Sequence, residues 1–220
     1  MSSNISIYNE DSLQALKAMQ DKQFDLAIVD PPYGIDVAND TRFGMQTKKA
    51  ATVRKDYTKK DWDLNVPTDE YWEQLFRVSR NQIVWGVNYF SNKNLVGGRI
   101  VWDKDVPEGY SKSKCELAYK SFGVGVDYIK VTWHGMLQYN MKDKEDRIHP
   151  TQKPILLYKQ LLAKYAKCGD KILDTHAGSA SIAIACYDMG FDLTAYEIDK
   201  EYFDAACKRL ENHKKQLTLW

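Results

Sequence analysis

Long apolar runs are missing from this chain. Nowhere do about 18 consecutive apolar residues occur, the least that spans a membrane as a helix, so no transmembrane helix is expected. The N-terminal Met1-Ser2-Ser3-Asn4 lacks the charged-then-apolar pattern of a secretion signal. An excess of one charge is lacking too, with 31 Lys+Arg against 30 Asp+Glu. That balance excludes a globally cationic nucleic-acid binder but allows a local basic patch. The four cysteines, Cys115, Cys168, Cys186 and Cys207, form no C-x-x-C pair and have no His at zinc spacing. They read as small buried apolar residues in a reducing, cytoplasmic setting. Internal repeats and low-complexity tracts are also absent. What remains is 44% hydrophobic and 28% charged over 220 residues, which suits one folded domain and argues against disorder.

Strand and helix patterns alternate along most of the chain. Ile5–Tyr8 alternates as a short strand, and Asp11 then caps a helix with Leu13, Leu16 and Met19 on one face. The apolar run 24–29 reads as a buried parallel strand ended by Asp30-Pro31-Pro32-Tyr33-Gly34. Residues 35–66 show no periodicity and carry basic and aromatic residues together. Thr68 caps a helix presenting Trp72, Leu75 and Phe76. Strands are expected at 82–85 and 99–102. A strand pair at 115–121 and 126–133, linked by the turn at Gly123 and Gly125, is expected at one sheet edge. Pro154 opens a helix and Gly169 lies past its end. A strand at 171–174, a helix with Ile182, Ala185, Cys186 and Met189 on one face, a strand at 193–197 and a final helix complete the pattern. The fold class predicted is α/β: a doubly wound, mostly parallel, Rossmann-like sheet with helices on both faces.

Two segments carry chemistry. In Leu173-Asp174-Thr175-His176-Ala177-Gly178-Ser179-Ala180-Ser181 a strand ends in an acid, a small-residue turn follows, and a helix begins. Small residues admit a ligand to the backbone, and the helix start offers free N–H groups. Glu197 ends the next strand, where such folds place an acid that grips ribose hydroxyls. The G-x-G-x-x-G pattern of dinucleotide enzymes is absent, since Ala180 stands where a second glycine would fall. These features point to an adenosine-containing cofactor without a pyrophosphate, such as S-adenosylmethionine.

The second segment is Asp30-Pro31-Pro32-Tyr33, at the carboxyl end of a buried strand. The prolines remove two N–H donors, stiffen the backbone and leave fixed carbonyl acceptors. The Asp30 carboxylate is a further acceptor, and Tyr33 offers a flat face. This set suits a planar group with an exocyclic amine, whose two hydrogens go to Asp30 and the Pro31 carbonyl. Preorganised acceptors stabilise positive charge developing on that nitrogen as it attacks a methyl group. Neither an activated Ser or Cys nor a metal is required.

In order along the chain, D-P-P-Y at 30–33, H-P-T-Q-K-P at 149–154 and L-D-T-H-A-G-S-A-S at 173–181 resemble the S-adenosylmethionine-dependent amino methyltransferases of DNA. The reaction motif precedes the cofactor motif, the circularly permuted order of their β group. Residues 9–12, 83–90 and 100–104 also match segments common in that family, so the resemblance spans nearly the whole chain. It implies a single methyltransferase domain, 1–220, with a basic loop insertion at about 35–66. It implies a site-specific enzyme, of the kind found in restriction-modification systems, that methylates adenine N6. Asp at position 30 favours adenine, because the cytosine-N4 enzymes often carry Ser there. Cytosine-N4 or RNA adenine methylation, or a non-catalytic cofactor-binding subunit, stay open as alternatives. Protein amide methyltransferases resemble N-P-P-Y users with the cofactor motif first, and the order here argues against them.

The resemblance also assigns residues. Asp30, Pro31, Pro32 and Tyr33 form the catalytic tetrapeptide. Asp174, Ala177, Gly178 and Ser179 cradle the methionine part of the cofactor, Glu197 holds its ribose, and Asp11 lies beside its adenine. Thr151, Gln152 and Lys153 close over the methionine end, with Lys153 suited to its carboxylate. His176 stands where the family commonly has Phe, and Ala180 where it commonly has Gly. The link from His134 to Ile148 is far shorter than the target-recognition segment of long members. The basic residues Arg42, Lys48, Lys49, Arg54 and Lys55 follow Tyr33 closely enough to bind phosphates around the site. The partner is then DNA, its target base flipped out or single-stranded. Family members often dimerise, which by analogy admits a homodimer.

Overall fold

The computed structural model describes residues 3–35, 63–91, 93, 95–110 and 113–217. The basic residues Arg42, Lys48, Lys49, Arg54 and Lys55 lie outside the described residues. The alternating strand β1 (Ile5–Tyr8) leads into helix α1 (Ser12–Ala18), whose first free N–H groups meet the Asp11 carboxylate at Leu13 N. The apolar run becomes β2 (Phe24–Val29). After it, α2 (Asp69–Val78) starts at Thr68, whose side chain accepts from Tyr71 N.

Strands β3 (Ser79–Trp85), β4 (Gly98–Asp103), β5 (Cys115–Lys120) and β6 (Val126–Lys130) follow. A two-stranded ribbon, β7 (Trp133–His134) and β8 (Leu137–Gln138), precedes α3 (Ile155–Tyr165). The chain closes with β9 (Lys171–Asp174), α4 (Ser181–Met189), β10 (Asp192–Tyr196) and α5 (Lys200–Leu217).

Among the described residues eight strands form one sheet in the order β1-β10-β9-β2-β3-β5-β4-β6. Among them β5 alone is reversed, running against both β3 and β4. The doubly wound, mostly parallel sheet predicted from the sequence is therefore present, with its antiparallel pairing toward one edge. The partners differ from the expected ones: β5 and β6 do not pair with each other, because β4 lies between them. The turn 121–125 crosses over the start of β4, where Arg99 N bonds to Gly125 O at 3.1 Å. A Cβ on Gly98 would sit 2.8 Å from that same carbonyl, so only glycine lets the turn pass.

Burial follows the two-residue period of the strands. Leu26 and Ile28 of β2 join a core with Leu157, Leu161 and Leu162 of α3 and Ile182 of α4. Ala27 and Val29 of the same strand face Leu16 of α1 and Leu75 of α2 in a second core. Each fully buried Leu or Ile stabilises the fold by about 1.5–3 kcal/mol, so both helical layers hold the sheet. The cysteines divide: Cys186 is buried, whereas Cys115 and Cys168 are exposed. Cys115 starts a strand and Cys168 sits in the turn after α3, where neighbours are too few to cover them. Among the described residues no helix is long and apolar enough to cross a membrane.

Candidate active site

The strand order reverses between β2 and β9. From β2 the chain winds toward β3 and the antiparallel end; from β9 it winds the other way, through β10 toward β1. At such a switch point the helices diverge and leave a crevice beyond the carboxyl ends of the strands. Asp30 follows β2, Asp174 ends β9 and Glu197 follows β10, so the topology gathers three acids from distant sequence positions.

The crevice is a cavity of about 250 Å³. Asp30 and Pro32 line it on one side and Ala177, Gly178, Ser179 and Glu197 on the other. Asp11, Thr151, Gln152 and Lys153 also reach its wall, together with His149 and Tyr158. Three expected residues do not line it: Pro31, Tyr33 and Asp174. Both halves foreseen in the sequence thus share one chamber.

The β9-to-α4 turn is built for close approach. Gly178 has φ +51 and Ala180 has φ +55, both left-handed. An alanine in that conformation costs roughly 1–2 kcal/mol relative to glycine, and it stands where a glycine is common in the resembling family. Glu197 locks the turn, accepting from Gly178 N at 2.8 Å with one oxygen and from Asp199 N at 2.9 Å with the other. Burial holds the Glu197 carboxyl above its usual range. Beneath the turn, Thr175 accepts or donates a 2.7 Å bond with Tyr71 and a 2.9 Å bond with His176.

Asp174 is 3% exposed and lies behind the wall, its carboxylate capped by His176 N at 3.0 Å. Burial pushes this carboxyl up to about 7, from an ordinary 3.8. The folded chain therefore keeps a proton that the unfolded chain releases between those values. The resulting stability is fully present below the unfolded pKa and is lost as pH rises through about 7. Asp174→Asn, which cannot ionise, should raise the unfolding free energy at pH 8 by up to about 4 kcal/mol, and by less at pH 5. Urea unfolding at the two pH values checks this; equal gains at both would show that Asp174 titrates normally.

On the reaction side, the Tyr33 hydroxyl donates to Asp30 Oδ1 at 2.5 Å and the Lys153 ammonium pairs with Asp30 Oδ2. Tyr33 N is held by Asp63 at 2.7 Å, and its ring stacks on Tyr89 with centroids 4.8 Å apart. One face of Tyr33 is thus already covered. The sequence reading gave Lys153 to a ligand carboxylate; here two protein carboxylates engage its ammonium. Glu116 Oε2 of β5 lies 3.2 Å from it, and Lys104, just past the end of β4, pairs with the other Glu116 oxygen. Burial works against the Lys153 ammonium, but Asp30 and Glu116 outweigh it and hold its pKa above the usual value. Burial also raises Asp30, against the pull of Lys153. Glu116 and Lys104 were missed in the sequence, because a charge in a strand expected at the sheet edge, or just past a strand end, reads as solvated. The signal was available in the flanking pattern, a lone acid two residues before the buried Ala118.

Burial drives His149 down to about 3 and His176 down to about 4, so both are neutral near pH 7. Among the described residues the wall then carries four carboxylic acids, Glu10, Asp11, Asp30 and Glu197, against one ammonium. The short link before His149 is tied down rather than projecting: Glu145 pairs with Arg209 of α5 at 2.7 Å, and Arg147 lies over Trp133 at 4.3 Å.

The crevice thus brings Asp30 and Pro32, from the end of β2, together with the small-residue turn 177–179 on a doubly wound sheet. The DNA methylase family model matches residues 91–208, more than half of the chain, and the chain belongs to that family. The type II methyltransferase M.HpaI of Haemophilus parainfluenzae is 24% identical, across 91% of this chain and 72% of its own length. M2.LlaDCHI of Lactococcus lactis subsp. cremoris is 25% identical, across 94% and 89%. Among solved structures, the cytosine-N4-specific PvuII DNA methyltransferase aligns with a TM-score of 0.64 at 13% identity, covering 98% of this chain and 92% of its own. M1.HpyAVI, solved with S-adenosylmethionine, aligns at 0.55 and 20% identity, covering 94% and 100%. At these identities the structural likeness establishes the fold.

Proposed function

We propose that this chain transfers a methyl group from S-adenosylmethionine to the exocyclic N6 amine of adenine in DNA, at specific sites, as one enzyme of a restriction-modification system. The observation that carries the reading is the shared cavity: Asp30 lines the same chamber as Gly178 and Glu197. The wall fits the cofactor, since an excess of carboxylates over ammonium groups favours a cationic sulfonium. Glu197 and the backbone at 177–179 would hold the ribose and methionine parts, with Asp11 beside the adenine and Thr151 and Gln152 closing the methionine end. When bound, S-adenosylmethionine would supply the methyl group as an electrophilic carbon on its sulfonium, with the thioether as leaving group and the surplus amine proton passing to solvent.

This chain's residues orient and stabilise. Asp30 and the Pro31 carbonyl accept the two amine hydrogens and point the nitrogen lone pair at the methyl carbon. As positive charge grows on nitrogen, the Asp30 carboxylate stabilises it without reorganising. Neutral His149 adds no competing charge. The target base enters flipped out of the duplex or from a single strand.

The whole chain acts as one methyltransferase domain, and the basic segment at about 35–66 grips DNA phosphates around the opening. Removing charge at Lys48, Lys49, Arg54 and Lys55 should weaken binding at every DNA sequence. It should also flatten the dependence of log affinity on log salt by about 0.9 per lost phosphate contact. A salt series on one duplex and one single strand measures both; an unchanged slope would remove the segment from the interface. Incubating the chain with labelled S-adenosylmethionine and oligonucleotides containing only adenine or only cytosine as amine donor tests the activity itself. Label in adenine supports the reading; label in cytosine replaces N6 with N4. Light scattering of the same preparation tests the homodimer.

A further inference from the structure

We propose that Glu116 is a positioning residue of the reaction site, a second seat that draws the Lys153 ammonium off Asp30 when an acceptor amine arrives. The proposal rests on the methyltransferase reading of the cavity. An exocyclic amine needs the Asp30 carboxylate both as hydrogen-bond acceptor and as counter-charge. In the structure a permanent ammonium already holds it. Two cations on one carboxylate repel, and the nitrogen becomes a cation only as the methyl group transfers. Lys153 must therefore yield.

Solvent offers it no escape. The Lys153 side chain is 3% exposed, with the Trp85 ring centroid 5.4 Å and the Tyr33 ring centroid 5.8 Å from its nitrogen. A buried ammonium needs an anion within reach. Glu116 Oε2 lies 3.2 Å away, is buried, and receives no aligned hydrogen bond. It forms an ion pair with the ammonium but is not yet its aligned hydrogen-bond acceptor. Lys104 grips the opposite oxygen and fixes the carboxylate on the sheet. A shift of the Lys153 nitrogen well under the length of its side chain completes the Glu116 bond and releases Asp30 Oδ2. Lys104 and Lys153 hold Glu116 down at about 2 against the effect of burial, so the seat stays charged at every working pH.

The test is a double-mutant cycle in the full chain at saturating cofactor, read as single-turnover methylation of an oligonucleotide. Glu116→Gln keeps the shape and removes the seat. It should slow transfer about ten- to hundred-fold, the range set by coupling between contacting charged groups, with cofactor affinity unchanged. Lys153→Met in that background should recover most of the loss, because nothing then competes for Asp30. The acid limb of the rate–pH profile should move down in Glu116→Gln and up in Lys153→Met, as Asp30 gains or loses its cation; packing damage alone moves neither. Should Glu116→Gln fail to bind cofactor or fold, Glu116→Asp, which draws the seat back by one methylene, takes its place in the cycle. An active parent with additive effects and unmoved acid limbs overturns the proposal alone. A parent inactive on every nucleic acid overturns the functional reading, and the proposal with it.

Discussion

Asp30→Ala should slow methyl transfer by at least about 10³-fold while cofactor affinity stays within about twofold. Loss of one preorganised group facing developing charge typically costs a factor of about 10² to 10³. Asp30 also aims the amine, so its removal adds the loss of orientation. Cofactor binding is spared because Gly178, Ser179 and Glu197 belong to β9, β10 and their turns, across the switch point from β2. The fold should survive, since Lys153 retains Glu116 as a partner. Asp30→Asn should keep part of the activity. Its oxygen can face Lys153 while its amide donates to the Tyr33 hydroxyl, which turns to accept. Rapid-quench methylation with calorimetric cofactor titration measures both quantities. Parental rates in Asp30→Ala would show that Asp-Pro-Pro-Tyr is not the reaction site.

Gly86→Ala carries the next largest effect, although Gly86 touches no ligand. Gly86 follows β3 at φ +74, a conformation that costs alanine about 1 kcal/mol. Its added Cβ would lie 2.2 Å from Tyr33 Cε1. The ring cannot slide away, because Tyr89 stacks against it and Phe90 meets it edge-on with centroids 6.1 Å apart. Overpacking of this kind costs roughly 1–3 kcal/mol. The two together should lower stability by about 2–4 kcal/mol. The displaced hydroxyl would leave Asp30, which should slow transfer about a hundred-fold. If the clash is the cause, Gly86→Ala should do little further harm in a Tyr33→Ala background. Equal losses in both backgrounds would trace the effect to the backbone conformation alone.

The sequence by itself determined most of the elements and the residue types of the two candidate half-sites. Periods of two and of 3.6 residues are local, so β1, α1, β2 and the last third from Pro154 could be read from neighbours alone. Asp11 and Thr68 declared their helix starts in the same way. The residue types in 30–33 and 173–181 carry their chemistry in side chains and glycine-like backbones, which need no fold to be recognised. Tertiary structure alone decided which strands became neighbours. The insertion of β4 between β5 and β6 depends on Gly98 admitting a turn from 25 residues later, a contact that no local pattern encodes. It decided equally that Asp174, alike in type to Asp30, is buried behind the wall. Most of all it decided the charges around Asp30: its partner Lys153, and the Glu116 that shares that ammonium, come from 123 and 86 positions away. An ion pair in a low-dielectric interior is set by where the sheet brings charges together, and charge spacing along the chain says nothing of that distance.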